Sequence, residues 1–181
     1  MVESAVDPRA VKLSLDDRAE IVEVLNRYCR GVDRRNWELM RSAFHADAVD
    51  EHGEVNGSVD DLVEYTRKRH ERIVQSMHAI TNVSVISAVR DKAWVECYCT
   101  VHQTMSRGDE RPPAHLSLGC RYVDLFERRQ EEWRIARRHV RYDWVYSIGV
   151  ERDFLPTSPE LPRSGRDGDD VVFEIPPELA S

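Results

Sequence analysis

Two stretches, Tyr28-Cys-Arg-Gly-Val-Asp-Arg-Arg-Asn-Trp37 and Ser76-Met-His-Ala-Ile-Thr-Asn82, decide how this chain folds, because between them helical periodicity gives way to strand periodicity. The first ends an amphipathic helix and the second opens a β-strand. Upstream, Ser14-Leu-Asp-Asp17 reads as a helix start, a capping serine with acids in the first turn. Ile21, Val22, Leu25, Tyr28 and Cys29 then recur at helical spacing, which gives residues 15–30 one apolar face. Gly31 is the expected stop. An acid on a helix end, Asp33, and an imidazole on a strand, His78, can meet only in a pocket between helices and sheet. A carboxylate bonded to one imidazole nitrogen fixes the tautomer and raises the basicity of the other, which makes a general base.

Working outward, Asn36 caps a second helix through about His45, with Trp37, Met40 and Phe44 on its inner face. Residues 46–57 are turn-rich, with a short strand around Ala48-Val-Asp50. Ser58-Val-Asp-Asp61 caps a third helix to about Val74. The segments 77–87, 92–105, 114–128 and 132–146 are rich in Val, Ile, Tyr, Trp, Thr and Cys and are joined by short turns, the pattern of an antiparallel meander. The expected class is therefore α+β, three N-terminal helices packed on one face of a curved, mainly antiparallel sheet. An arm (1–11) precedes this domain (12–150). A tail (151–181) comes after it, proline-bearing and then polar through Asp170, and reads as extended and partly mobile. Within it Val171-Val-Phe-Glu-Ile175 is apolar enough to pack on a neighbour.

Length and composition bound the function. The 181 residues suit one domain with a real core, and 41% hydrophobic with 33% charged residues reads as globular. A net charge of −7 argues against nucleic-acid binding, which needs a positive field. No apolar run approaches the ~20 residues that cross a bilayer, and Met1–Ala10 has no apolar signal core, so a cytoplasmic protein is expected. Cys29, Cys97, Cys99 and Cys120 lack paired Cys-x-x-Cys spacing and read as small buried residues. Val83, Val85, Val95, Val101, Leu118 and Phe126 place apolar side chains on both strand faces, which implies a homo-oligomer.

The chemistry-bearing residues each have a plainer reading. Asp33 past a helix C-terminus opposes the helix dipole and could be an exposed turn residue; His78 as its partner favours the pocket. The i+2 and i+4 neighbours of His78, Ile80 and Asn82, give it a mixed face that suits a pocket wall. Arg138 shares a strand face with Ala136, Val140 and Tyr142, so it needs either an anionic ligand or an ion pair with an acid of the chain. His45, Asp47, Asp50 and His52 cluster in sequence but match no zinc spacing. There is no phosphate-cradling glycine loop, no nucleophile elbow and no dinucleotide fingerprint, so the expectation is chemistry with no cofactor and no metal.

The order of helix, Gly31-Val-Asp-Arg-Arg-x-Trp37, second helix ending Phe44-His-Ala-Asp-Ala48, and strand opening with His78 and Asn82 resembles the SnoaL-like branch of the nuclear transport factor two-like superfamily over residues 12–146. The resemblance implies a cone-shaped α+β barrel with a deep pocket. Asp33 and His78 fall where scytalone dehydratase and hexachlorocyclohexane dehydrochlorinase carry an Asp–His dyad. The likeness to the dehydrochlorinase continues through Tyr122–Arg128 and Trp133–Arg138, which puts Arg138 at an active-site arginine. The activity implied by the resemblance is that of a cofactor-independent lyase of dehydratase or dehydrohalogenase type. In it His78, oriented by Asp33, takes a proton from a small, mostly apolar cyclic substrate, and Arg138 stabilises developing charge. Tyr28, Trp37, Phe44, Met77, Asn82 and Tyr98 would line the pocket, with His115 or His102 as a second histidine. An isomerase or cyclase using the same dyad, or a non-catalytic binding or partner-subunit module, are the alternatives. A trimer is favoured by the same likeness, a dimer next.

Overall fold

The first helix, α1 (Leu15–Asp33), starts where Ser14 Oγ accepts the Asp17 N–H at 3.0 Å. It buries Ile21, Val24, Leu25, Tyr28, Cys29 and Val32 along one face. Gly31 does not stop it. A Cβ on Gly31 would lie 2.4 Å from Met40 N, so this glycine is required for close packing of the next helix. The stop is two residues further on. The Asn36 N–H donates to Gly31 O (2.8 Å) and the Arg35 N–H to Val32 O (3.3 Å), with Arg35 left-handed at φ 51°. Those crossed bonds form a Schellman motif, here with an arginine where glycine is usual.

Residues 13–108 and 112–149 are described by the structure, a computed structural model, together with 164–166, 170, 172, 174–176 and 179 of the C-terminal segment. Expectations for 1–11 and for 150–163 lie outside the described residues. Helix α2 (Trp37–Ser42) is shorter than its sequence suggested. Phe44 already belongs to β1 (Phe44–Glu51), which pairs in parallel with the last strand, so the apolar residue at helical spacing serves the sheet instead. After β2 (Asn56–Ser58), α3 (Val59–His70) opens with a capping box between Ser58 and Asp61. It ends before Val74 because Ile73 starts β3 (Ile73–Val89). Then come β4 (Lys92–Met105), β5 (Ala114–Arg129) and β6 (Glu132–Gly149). The six strands lie in the order β2-β1-β6-β5-β4-β3, antiparallel except for β1·β6. The architecture is the expected α+β one, helices on the concave face of an open, curved sheet.

Strand alternation assigns the two faces. On β4 Val95, Cys97, Cys99 and Val101 are buried under the helices, with Tyr122 and Phe126 of β5 and Ile135 and Val140 of β6 beside them. The apolar residues expected on both faces are therefore mostly on one: Val95, Val101 and Phe126 are core, and Val83, Val85 and Leu118 pack against it. The outer face has its own apolar set, Met77, Tyr98, Trp144, Tyr146 and Ile148, all exposed by more than a third. The Trp144 indole lies over Gly119, where a Cβ would come within 2.5 Å.

The described positions of the tail are of two kinds. Gly165, Arg166 and Asp170 are buried, while Val172 and Ile175 are exposed. Among the described residues no helix is long and apolar enough to cross a membrane.

Candidate active site

Asp33, the last residue of α1, and His78, six residues into β3, meet where the helix end lies on the sheet edge. The imidazole Nδ1 is 2.7 Å from Asp33 Oδ1, and the backbone N–H of His78 donates to Asp33 Oδ2 at 2.8 Å. The Ser76 hydroxyl donates to Oδ1 at 2.8 Å. Ser76 Oγ in turn accepts from Gln103 Nε2 (3.2 Å), and Gln103 Oε1 accepts from Arg69 Nη1 (2.8 Å). Register explains the chain of contacts, since Ser76 pairs with Gln103 and His78 with Val101 across β3·β4. Burial alone would push the Asp33 carboxyl up, but the His78 side-chain bond and charge, the His78 N–H and the Ser76 hydroxyl together hold it below the usual range. An ionised carboxylate only accepts, so Nδ1 carries a proton, and in the neutral ring Nε2 keeps the lone pair. The side chain of His78 is 8% exposed.

His78 lines a cavity of about 540 Å³ between α1, α3 and the inner face of β4–β6. Its wall combines apolar groups such as Val101, Leu118 and Tyr122 with polar ones from α3 and the β1–β2 turn. Arg69 makes no ion pair with a carboxylate of the described residues and is held by Gln103 and by the Tyr65 hydroxyl. Tyr65 donates to Glu54 at the rim. His70 is buried and its ring is driven down to about 3 by burial, with the Arg166 charge adding to the shift, so it stays neutral. Beneath the wall Cys99 is hydrogen-bonded to Cys29 and Cys120, and those bonds together with burial push the Cys29 and Cys120 thiols up. All four cysteines are free.

Of the residues singled out from the sequence, His78 and Tyr28 line this cavity, and Asp33 stands behind it, bonded to His78. Arg138 is not on it. Asp124 faces Arg138 across β5·β6 and takes two hydrogen bonds from it, Nε to Oδ1 at 2.9 Å and Nη2 to Oδ2 at 2.7 Å. The guanidinium lies 4.3 Å from the Tyr28 ring centroid and 4.0 Å from that of Tyr122, with no exposed surface. Of the two sequence readings of Arg138, the ion pair is the one the structure contains. Phe44 is core, and Trp37 stands edge-on behind His70 at 5.7 Å. Tyr98 and Met77 are on the outer face. His115 is there too, stacked on His102 at 5.6 Å. Asn82 has φ 52° at a break in the β3·β4 register and is turned outward, so two-residue alternation from His78 does not reach it. The His45, Asp47, Asp50, His52 group disperses: His45 bonds Glu127 O, Asp47 pairs with Arg129, and Asp50 contacts His52. Among the described residues no three His, Cys, Asp or Glu side chains converge as metal ligands.

Sequence reasoning missed Arg69, His70 and Gln103. Gln103 had a signal, a lone amide ending the apolar alternation Ala93, Val95, Cys97, Cys99, Val101. Arg69 and His70 lie in the charged run Arg67-Lys-Arg-His-Glu-Arg72, where no apolar spacing marks an inward face. Only the direction of α3 turns these two inward.

Residues 13–139 match the model of the SnoaL-like domain, and the chain belongs to that family. Solved structures with this fold include two hexachlorocyclohexane dehydrochlorinases. The type 2 form is 16% identical, covers 77% of this chain and 93% of its own, and has a TM-score of 0.68. The type 3 form from Novosphingobium barchaimii is 19% identical and covers 82% and 97%, at 0.66. A protein from Novosphingobium aromaticivorans assigned as a scytalone dehydratase is 15% identical and covers 77% and 96%, at 0.65. At these identities the likeness is one of fold. The comparison with curated proteins finds no match.

Proposed function

We propose that this chain is a cofactor-independent lyase acting on a small, mostly apolar cyclic molecule. His78 Nε2 takes a proton from carbon. The C–H electron pair becomes the new C=C bond, and a β-leaving group, hydroxide or halide, departs with its own pair. The observation that carries the reading is the 2.7 Å contact between Asp33 and His78 on a cavity of about 540 Å³. Asp33 fixes the tautomer and stabilises the imidazolium that forms, as an orienting carboxylate should. Arg69 takes the part that the sequence suggested for Arg138. It is the cavity cation without a carboxylate partner among the described residues, placed to stabilise charge on a leaving group or an enolate oxygen. The dehydratase and dehydrochlorinase among the fold relatives support elimination over other uses of the same base.

The test is a panel of cyclic β-hydroxy ketones and halocyclohexanes, monitored by alkene absorbance and halide release, on wild type and His78→Ala. Turnover that falls by roughly 10²–10⁴-fold in the variant supports the base. A ligand bound equally by both proteins with no turnover identifies a binding module instead. The outer-face set Met77, Tyr98, Trp144, Tyr146 and Ile148 supports a homo-oligomer formed through that face. Light scattering that gives the monomer mass at micromolar concentration removes it.

A further inference from the structure

We propose that Arg166, from the C-terminal segment outside the family domain, is a positioning residue for Asp33 and His78, so that the two ends of the chain build one site. The inference rests on the lyase reading for its functional meaning, but its geometry is independent of it. The Schellman turn at the end of α1 uses the carbonyls of Gly31 and Val32 and leaves that of Asp33. Arg166 Nε donates to Asp33 O at 2.7 Å and Nη2 to Val32 O at 3.4 Å. Nη1 donates to Ile73 O at 2.7 Å, and Ile73 is the first residue of β3. One rigid planar group thus bridges the end of the helix that carries the acid and the start of the strand that carries the base. A guanidinium fork suits that task, since its donor directions are fixed and it is charged at every working pH.

The same group acts on the site in two further ways. Its charge lies at the negative end of the α1 dipole, the feature that otherwise disfavours a carboxylate on Asp33. Its Nη2 is also 2.9 Å from His70 Nδ1. A guanidinium only donates, so Nδ1 of His70 is unprotonated and the neutral ring, which lines the cavity, is held as the Nε2–H tautomer. The segment has its own fastening. Asp170 accepts from the backbone N–H of Gly165 at 2.9 Å and of Val172 at 3.0 Å, and its carboxylate lies 3.6 Å from Arg34, the residue after Asp33. With Arg166 only 8% exposed, these charged bonds are shielded from water.

The experiment uses the full chain, ¹⁵N-labelled at histidine, as wild type, Arg166→Lys and Arg166→Gln. Wild type should show a downfield, exchange-protected Nδ1 proton for His78 and an unprotonated Nδ1 for His70. In Arg166→Gln the His78 proton should broaden or vanish, His70 should titrate at higher pH, and kcat on any substrate found should fall roughly 10–100-fold with little change in KM, the scale set by small misplacement of reacting groups. Arg166→Lys keeps the charge but cannot span the four acceptors, so it should recover part of both signals. It also keeps the test open if Arg166→Gln does not fold. A His78 proton signal and rate equal to wild type in either folded variant overturns the proposal. Loss of the signal in a protein whose turnover ignores His78→Ala would keep the positioning and refute the lyase.

Discussion

Replacing Asp33 by Asn tests the centre of the site, and its cost can be worked from the contacts. The carboxylate accepts three bonds: Oδ1 from the His78 ring and the Ser76 hydroxyl, Oδ2 from the His78 backbone N–H. An amide has one oxygen. If that oxygen takes the Oδ1 position, the NH2 faces the backbone N–H and two buried donors oppose each other, a loss of about 1–3 kcal/mol. If the amide flips, the NH2 faces the imidazole and forces the proton to Nε2, so the base is gone. Both orientations lower stability, by about 2–4 °C in Tm per kcal/mol for a chain of this size. The gap must close in acid. The folded-state value of Asp33 lies below that of the unfolded chain, ~3.9. The stability it contributes is therefore fully present above ~pH 4 and is lost as pH falls through the lower folded value. His70, held near 3 in the fold, is a second depressed group whose stabilising effect fades below ~6.5. It is common to both proteins and drops out of the difference. The assay is circular-dichroism melting of both proteins from pH 3 to 8. A variant that melts with wild type at neutral pH, or a gap that widens in acid, refutes the assigned bonding.

Other perturbations separate structural from chemical roles. Because His78 and Asp33 would act as one unit, His78→Ala should cost roughly 10²–10⁴ in rate, and adding Asp33→Asn should change little more; additive losses in steady-state kinetics would argue for two separate roles. Arg138→Leu strands the fully buried Asp124 and should destabilise by about 3–5 kcal/mol in urea titration, with Arg138→Leu/Asp124→Leu recovering much of it. An activity loss at unchanged stability would return Arg138 to the chemistry. Gly31→Ala should lower stability by about 1–3 kcal/mol despite the better helix former, because the new Cβ would meet Met40 backbone at 2.4 Å; a raised Tm would show that α2 can move aside. Arg69→Gln should slow turnover roughly 10²-fold without changing the near-ultraviolet spectrum, and an unchanged kcat would leave the cavity cation without a role.

What could be read from the sequence is what travels along one chain direction. The caps at Ser14 and Ser58, the apolar face of α1, and the β-branched and aromatic composition of the four long segments are all local patterns, and each produced its element. Asp33 and His78 could be paired because a helix end and a strand leave few ways to meet. The errors fall where a second direction enters. Arg138 was read against Ala136, Val140 and Tyr142 along its own strand, while its partner Asp124 sits directly across on β5. Asn82 was placed by counting in twos, and the break between Thr81 and Ser84 shifts the count. Phe44 fits a helical repeat as well as the first position of a parallel strand, and only its pairing with Ile135 decides. Arg166 lies 133 residues from the carbonyl it holds, in a polar stretch with no periodicity to mark it. The residues of the site that sequence missed are those whose role is to receive another element: Gln103 under Ser76, Arg69 at the inward end of α3, Arg166 across α1 and β3. A catalytic pair needs only two side chains of the right kind, but its geometry is set by such receiving contacts, so substitution of Arg166 tests how the pair is held, while substitution of His78 or Asp33 tests what the pair does.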